Sequence, residues 1–274
     1  MKQQPCYILA IESSCDDTAA AILRNDEVLS NIIATQDVHK QYGGVVPELA
    51  SRAHQQNIIP VVDQALKEAG VSKSELSAIA YTRGPGLLGS LLVGTSFAKS
   101  MSMGLDIPLI EVNHMQAHLL AHFIKDEHHT PIFPFLGVTV SGGHTQLVLV
   151  KDYFEFKLIG TTLDDAIGEA FDKCGKILGL GYPAGPIIDK LANTGNSKAF
   201  SFPVPKVPGL NLSYSGFKTN VINFILKNMQ KDAGFIEANL NDLCASVQYT
   251  LIEIIFQKIE KAVDQHQISK VVLG

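Results

Sequence analysis

The sequence predicts an α/β protein of two related lobes that face each other across a cleft. Two observations predict it. A strand–turn–strand unit occurs once at the start of the chain and again at its middle, and each is followed by short apolar runs alternating with stretches of helical spacing. The first unit joins apolar runs at 7–11 and 19–23 through Glu-Ser-Ser-Cys-Asp-Asp-Thr, a segment of turn formers. The second joins 136–140 and 146–150 through Ser141-Gly-Gly-His-Thr145. The predicted lobes are 1–125 and 135–274, each pointing its loop inward.

The elements follow in order. Residues 47–69 carry Leu49, Ala53, Ile58, Ile59, Val62, Ala65 and Leu66 at helical spacing and close on Gly70. A brief buried strand at 79–81 leads into the glycine-rich turn Arg83-Gly-Pro-Gly-Leu-Leu-Gly-Ser90 and a small-residue helix running to about Met101. A strand at 108–112 precedes a helix that carries paired histidines, and 125–134 reads as the connection between lobes. Beyond the second hairpin, 166–178 is helical, 179–186 is a rigid turn into a further helix, and the proline-rich 200–212 is an extended loop. Two long amphipathic helices, 215–231 and 239–266, lead to a strand at 270–274.

Bulk composition sets the class. A chain of 274 residues, 46% hydrophobic, has ample apolar content for two lobes. At 18% charged with formal net charge −5 it has no overall basic footprint, so nucleic-acid contact must come from a local patch or a partner subunit. The apolar run before Glu12 is too short for the core of a signal peptide, and nothing approaches a membrane span, so no membrane partner is expected. Cys6, Cys15, Cys174 and Cys244 are scattered and form no Cys-x-x-Cys pair, so neither a disulfide framework nor a zinc ribbon is suggested and a reducing cytoplasm is the expected compartment.

Chemistry concentrates in a few places. His114 and His118 are four residues apart, which stacks two imidazoles on one helix face as a clamp for iron, zinc or a similar divalent ion. A chain with nine histidines also produces this spacing on an ordinary helix face. His122 extends the stripe but is expected to pack or to support rather than to bind metal. In Ser141-Gly-Gly-His-Thr145 two glycines bare the backbone, so that N–H groups can face a phosphate or adenylate; a plain hairpin turn is the competing use. Asp16 and Asp17 in the first turn need a cation, a water or hydroxyls as partners, or else serve the turn itself. Asp172 and Asp189 can accept from ribose hydroxyls or cap helices. The turn at 83–90 lacks the lysine of a Walker loop.

Taken together these residues resemble the tRNA threonylcarbamoyladenosine transferase family, once described as O-sialoglycoprotein endopeptidases. The resemblance runs the full length through eight motifs in order: Ile11-Glu-Ser-Ser-Cys-Asp-Asp, Gly43-Gly-Val-Val-Pro-Glu-Leu-Ala-Ser-Arg, Gly84-Pro-Gly-Leu-Leu-Gly-Ser-Leu-Leu-Val-Gly, Asn113-His-Met-Gln-Ala-His, Val140-Ser-Gly-Gly-His-Thr-Gln-Leu, Asp165-Ala-Ile-Gly-Glu-Ala-Phe-Asp-Lys, Tyr182-Pro-Ala-Gly-Pro and Ser213-Tyr-Ser-Gly-Phe-Lys-Thr. It implies an actin-like fold of the sugar-kinase and Hsp70 type, with two ribonuclease-H-like lobes. It implies transfer of the threonylcarbamoyl group of threonylcarbamoyl-AMP to N6 of adenosine 37 of tRNAs that read codons beginning with A, with release of AMP. By residue it implies His114 and His118 as ligands of one divalent ion, iron or zinc. Thr139, Val140, Ser141, Gly142 and Gly143 become the substrate loop, and Asp172, Gly185 and Asp189 surround the nucleoside. Asp16 is the candidate for proton removal from the attacking amine. The implied partners are tRNA, a paralogous scaffold subunit and a small ATPase.

Family members continue past the strand matching 270–274 to a nucleoside loop and a third, carboxylate, metal ligand. The chain is therefore expected to be C-terminally truncated, with an incomplete second lobe. Three other readings stand beside the transferase. A zincin needs His-Glu-x-x-His, whereas Met115 and Gln116 follow His114 here. A non-catalytic scaffold or nucleotide-binding paralogue lacks the paired histidines, and a truncated, inactive fragment is the third.

Overall fold

A computed structural model describes residues 5–125 and 130–274. The chain divides into two compact units, Met1–Thr130 and Pro131–Gly274.

In the first unit β1 (Tyr7–Glu12), β2 (Asp17–Arg24) and β3 (Glu27–Thr35) form an antiparallel meander. Two further strands, β4 (Leu76–Gly84) and β5 (Leu109–Asn113), extend the sheet in parallel from the other side of β1, giving the order β3-β2-β1-β4-β5. Alternation along the strands buries Leu9, Ile11, Ala20, Ile22 and Ile79, and this apolar face meets Ile58, Val61, Val62 and Ala65 of α1 (Pro47–Ala69) and Ala98 of α2 (Leu88–Leu105). α1 opens on a proline, whose missing N–H costs nothing in a first turn. It ends as the sequence predicts, on Gly70 in the left-handed region at φ 66°, whose N–H donates to Lys67 O at 3.1 Å. The short α3 (His114–Leu120) follows β5 directly.

The second unit repeats the connectivity. β6 (Phe135–Val140), β7 (Thr145–Val150) and β8 (Phe156–Thr161) are an antiparallel meander, and β9 (Val271–Leu273) lies parallel to β6, in the order β8-β7-β6-β9. The helices are α4 (Ile167–Ile177), α5 (Gly185–Ala192), α6 (Ser215–Met229) and α7 (Phe235–His266). Val138, Leu147, Ile188, Phe217, Val221 and Val247 meet in one core. Among the described residues no helix is long and apolar enough to cross a membrane.

The structure departs from the sequence expectation in three places. Strands β3 and β8 were not predicted, and both are sheet edges. α7 begins at Phe235, and Asn239, the expected first residue, is instead a non-helical kink at φ −126° within it. The expected connection 125–134 includes 126–129, which lie outside the described residues. The extended loop at 200–212 is present; Lys258 Nζ pins it by donating to Val207 O at 2.7 Å and Gly209 O at 3.0 Å.

Two aspartates fix the entrance to α4. Asp164 accepts from the backbone N–H of Tyr214 at 2.7 Å and of Ser215 at 3.2 Å, and from the hydroxyls of Ser213 and Ser215, so it caps α6 from a distance. Asp165 lies between Lys173 Nζ at 2.6 Å and Lys218 Nζ at 2.9 Å. Burial works against the Asp165 carboxylate, but the two ammonium groups outweigh it and hold its pKa below the ordinary value.

Two predictions follow from this packing. Phe217 is fully buried at the centre of the second core, so Phe217→Ala lowers unfolding free energy by about 3–5 kcal/mol in a denaturant titration. A depressed folded-state pKa makes the Asp165 contribution fully present above the unfolded carboxylate value of about 3.9 and lost as pH falls through the lower folded value. The melting temperature of Asp165→Asn therefore falls less than that of the wild type between about pH 5 and about pH 2; an equal fall in both rejects the linkage.

Candidate functional site

The histidine pair is built by a cap. Asn113 ends β5, and its side-chain oxygen accepts from the N–H groups of Met115 at 3.0 Å and Gln116 at 3.2 Å, which starts α3 at His114. One turn later His118 lies over His114. The rings meet edge to face, with centroids 4.6 Å apart and planes at 85°, and the two Nε2 atoms are 3.2 Å apart. Two imidazole nitrogens bound at about 2.05 Å to one tetrahedral ion are ~3.3 Å apart, so the donor atoms already have a chelating separation. Among the described residues no third His, Cys, Asp or Glu completes a cluster around them. α3 ends at Leu120, and His122 lies beyond it in a 3-10 turn, so the stripe stops at two.

The carboxylate touching this pair is one the sequence reading missed. Glu12, at the end of β1, places Oε2 3.3 Å from Nδ1 of His114, the nitrogen remote from His118. It also accepts from the Ser14 N–H and the Thr82 hydroxyl. Burial raises the Glu12 pKa, but hydrogen bonds from His114, Ser14 and Thr82 outweigh it and bring the value down to about 2. A lone Glu among serines gives no such signal in sequence; only the pairing of β1 with β4 brings Thr82 alongside.

The β1–β2 turn is held from several sides. Leu87 N donates to Ser14 O at 2.7 Å, and the approach is so close that a Cβ on Gly86 would lie 2.5 Å from that oxygen. The carbonyl of Cys15 accepts from Ser90 Oγ at 3.0 Å and faces Nε2 of the fully buried His54 at 3.0 Å, whose other nitrogen contacts Thr18 Oγ1 at 2.7 Å. Asp16 stands in this turn, partly exposed. Burial, then the neighbouring Asp16, pushes the Cys15 thiol up to about 12, so it stays protonated at neutral pH and is a poor nucleophile.

In the second unit the β6–β7 turn is fixed by the start of α4. Ile167 N donates to Thr145 Oγ1 at 2.9 Å, and Gly168 N donates to Ser141 O at 3.2 Å. A Cβ on Gly168 would meet Ser141 O at 2.8 Å, which is why that position is glycine. Gly142 and Gly143 are different: neither has a positive φ, and a Cβ on either would meet nothing within 4 Å. The turn does not demand glycine there. Both are exposed, and among the described residues neither N–H donates a hydrogen bond. Thr139 points inward and is fully buried, its hydroxyl without a partner among the described residues, while Val140 is partly exposed.

Helix α4 links this turn to the remaining candidates. Four residues past Gly168, on the same face, Asp172 accepts from Ala184 N at 2.7 Å and from the Gly185 N–H, capping α5. Burial raises the Asp172 pKa, the two N–H groups oppose the shift, and Glu169 adds to it. Capping, the competing use read from sequence, is thus one function of Asp172, and it sets the position of Gly185. Asp189 is exposed on α5, where Gln248 Nε2 donates to its Oδ1 at 3.0 Å. Nothing in the local pattern marks Gln248, which approaches from α7.

Comparison with known proteins shows the family and the fold. The profile of the tRNA N6-adenosine threonylcarbamoyltransferase family matches residues 27–274. A curated relative of that name from Christiangramia forsetii is 65% identical over 275 residues, covering 100% of this chain and 81% of its own. Another, from Porphyromonas gingivalis, is 57% identical over 97% of this chain and 79% of its own. In fold, component A of (R)-2-hydroxyglutaryl-CoA dehydratase from Acidaminococcus fermentans superposes with a TM-score of 0.50 at 15% identity, covering 98% of this chain and 82% of that one. The fold is of the actin-like type that the motifs imply.

Proposed function

The chain belongs to the tRNA N6-adenosine threonylcarbamoyltransferase family, and on that premise we propose that it moves the threonylcarbamoyl group of threonylcarbamoyl-AMP onto N6 of adenosine 37 of tRNAs reading codons that begin with A. The N6 amine attacks the carbamoyl carbon, the bond from that carbon to the phosphate oxygen breaks, and AMP leaves with the electron pair. The observation that carries the reading is the uncovered Gly142 and Gly143 backbone, two exposed N–H groups that donate to nothing in the described chain. Donors fixed in this way stabilise negative charge on the acyl or phosphate oxygens without reorganising.

The other residues bind and orient. Asp189, with Oδ1 held by Gln248, offers its second oxygen to ribose hydroxyls. Asp172 holds the Ala184 and Gly185 amides that begin α5 and so shapes the nucleoside side of the site. Asp16 is the proposed first-unit acceptor for the amine proton; the Ser13–Cys15 stretch before it is already fixed by α1 and α2. His114 and His118 fit a single iron or zinc ion by donor type and by the 3.2 Å separation of their Nε2 atoms. Such an ion polarises acyl or phosphate oxygens when bound. The net charge of −5 fits tRNA contacts shared with a paralogous scaffold subunit and a small ATPase, in the cytoplasm.

The test supplies threonylcarbamoyl-AMP, tRNA and partner subunits, and measures AMP release together with modified nucleoside by mass spectrometry. We expect tRNA-dependent transfer, and at least ~100-fold slower transfer with background metal content in the His114→Ala/His118→Ala double variant. Wild-type transfer by the double variant overturns the metal assignment, and AMP release without tRNA modification overturns the transferase reading.

A further inference from the structure

We infer that Glu12 is a positioning residue that fixes the tautomer and ring angle of His114 and so aims the Nε2 atoms of His114 and His118 at one point. The inference rests on the metal reading above and goes beyond it, to what holds the clamp in shape.

The geometry is a chain of fixed contacts. Glu12 Oε2 lies 3.3 Å from Nδ1 of His114. The carboxylate is itself held at both oxygens, by the Ser14 N–H on its own turn and by the Thr82 hydroxyl on the neighbouring strand β4. An ionised carboxylate only accepts, so its contact with Nδ1 requires the proton on that nitrogen. In a neutral imidazole Nε2 then carries the lone pair. That lone pair faces Nε2 of His118 at 3.2 Å, across rings set at 85°. The opposite tautomer would turn the His114 N–H toward His118 and leave no lone pair on that Nε2 for an ion. Ser14 Oγ also approaches Nδ1, at 3.4 Å, but a hydroxyl serves either tautomer and does not choose between them. The choice falls to Glu12. A carboxylate behind a ligating histidine fixes orientation and raises ligand basicity, and its loss typically costs 10–100-fold in metal affinity.

The test compares the metal-free wild type with Glu12→Ala and Thr82→Val, using two readouts. Long-range nitrogen-15 correlation spectra report the His114 tautomer, and competition titration with zinc reports affinity. The expected results are an Nδ1–H tautomer in the wild type, a shift toward Nε2–H in Glu12→Ala, and about 10–100-fold weaker zinc binding in that variant. Thr82→Val, which keeps the carboxylate but removes one of its donors, falls between the two and keeps the test informative if Glu12→Ala does not fold. An Nε2–H tautomer in the wild type, or zinc affinity unchanged in a folded Glu12→Ala, overturns the role of Glu12. A wild type that has the Nδ1–H tautomer yet binds no zinc overturns the metal assignment and this inference together.

Discussion

The hydrogen bonds from Met115 N and Gln116 N to the Asn113 side chain fix the first turn of a helix only seven residues long. A helix of that length has little stability of its own, so its start must be imposed from outside. If α3 began one residue later, both histidines would rotate by about 100° about the helix axis and away from Glu12. Asn113 is also the last residue of β5, paired with Gly84 of β4. The position of the histidine pair is therefore inherited from the parallel sheet, and the cap transmits it.

Both units use the same device to hold the turn that carries candidate site residues. In each, a hairpin turn is fixed by a later segment of the chain: by Leu87 and Ser90 for the turn after β1, and by Ile167 and Gly168 for the turn after β6. Glycine marks the closest approach each time, at Gly86 against Ser14 and at Gly168 against Ser141. The turn after β6 also closes on itself, Ser141 N donating to His144 O at 2.9 Å and His144 N to Ser141 Oγ at 3.0 Å, and the two residues between them keep backbone donors over. Gly142 and Gly143 are the result. Their bare backbone is a property of the surrounding packing as much as of the two residues.

How much of this was legible in the sequence depends on the range of the interaction. The duplicated hairpins, the Gly70 cap and the four-residue spacing of His114 and His118 are local, and local pattern reveals them. Strand β3 was missed because it is an edge strand that buries only Ser30, so its apolar alternation is weak; β8, also an edge, buries only Gly160. Glu12, Gln248 and the Asp165–Lys218 pair were missed for a different reason. Each partner is 53 or more residues away in the chain, and nothing in either segment names the other. Asp172 shows an ambiguity of another kind: the residue was singled out, but its capping of α5 appears only once Ala184 has a place in space.

The titration state of the side chains narrows the mechanism further. A covalent route through a cysteine needs a thiolate, and burial pushes Cys15 and Cys174 up to about 12 and Cys244 up to about 11, which keeps these three as thiols near pH 7. Glu12 is equally unsuited to removing the proton of the attacking amine. With its pKa brought down to about 2 and both oxygens engaged by His114, Ser14 and Thr82, it is a weak base. Both shifts fit the direct attack on the carbamoyl carbon proposed above, which asks neither group to act as nucleophile or base. In the first unit the acid behind His114 is thus fitted to orient that ring and not to take up a proton, and the thiol beside Asp16 to stay neutral.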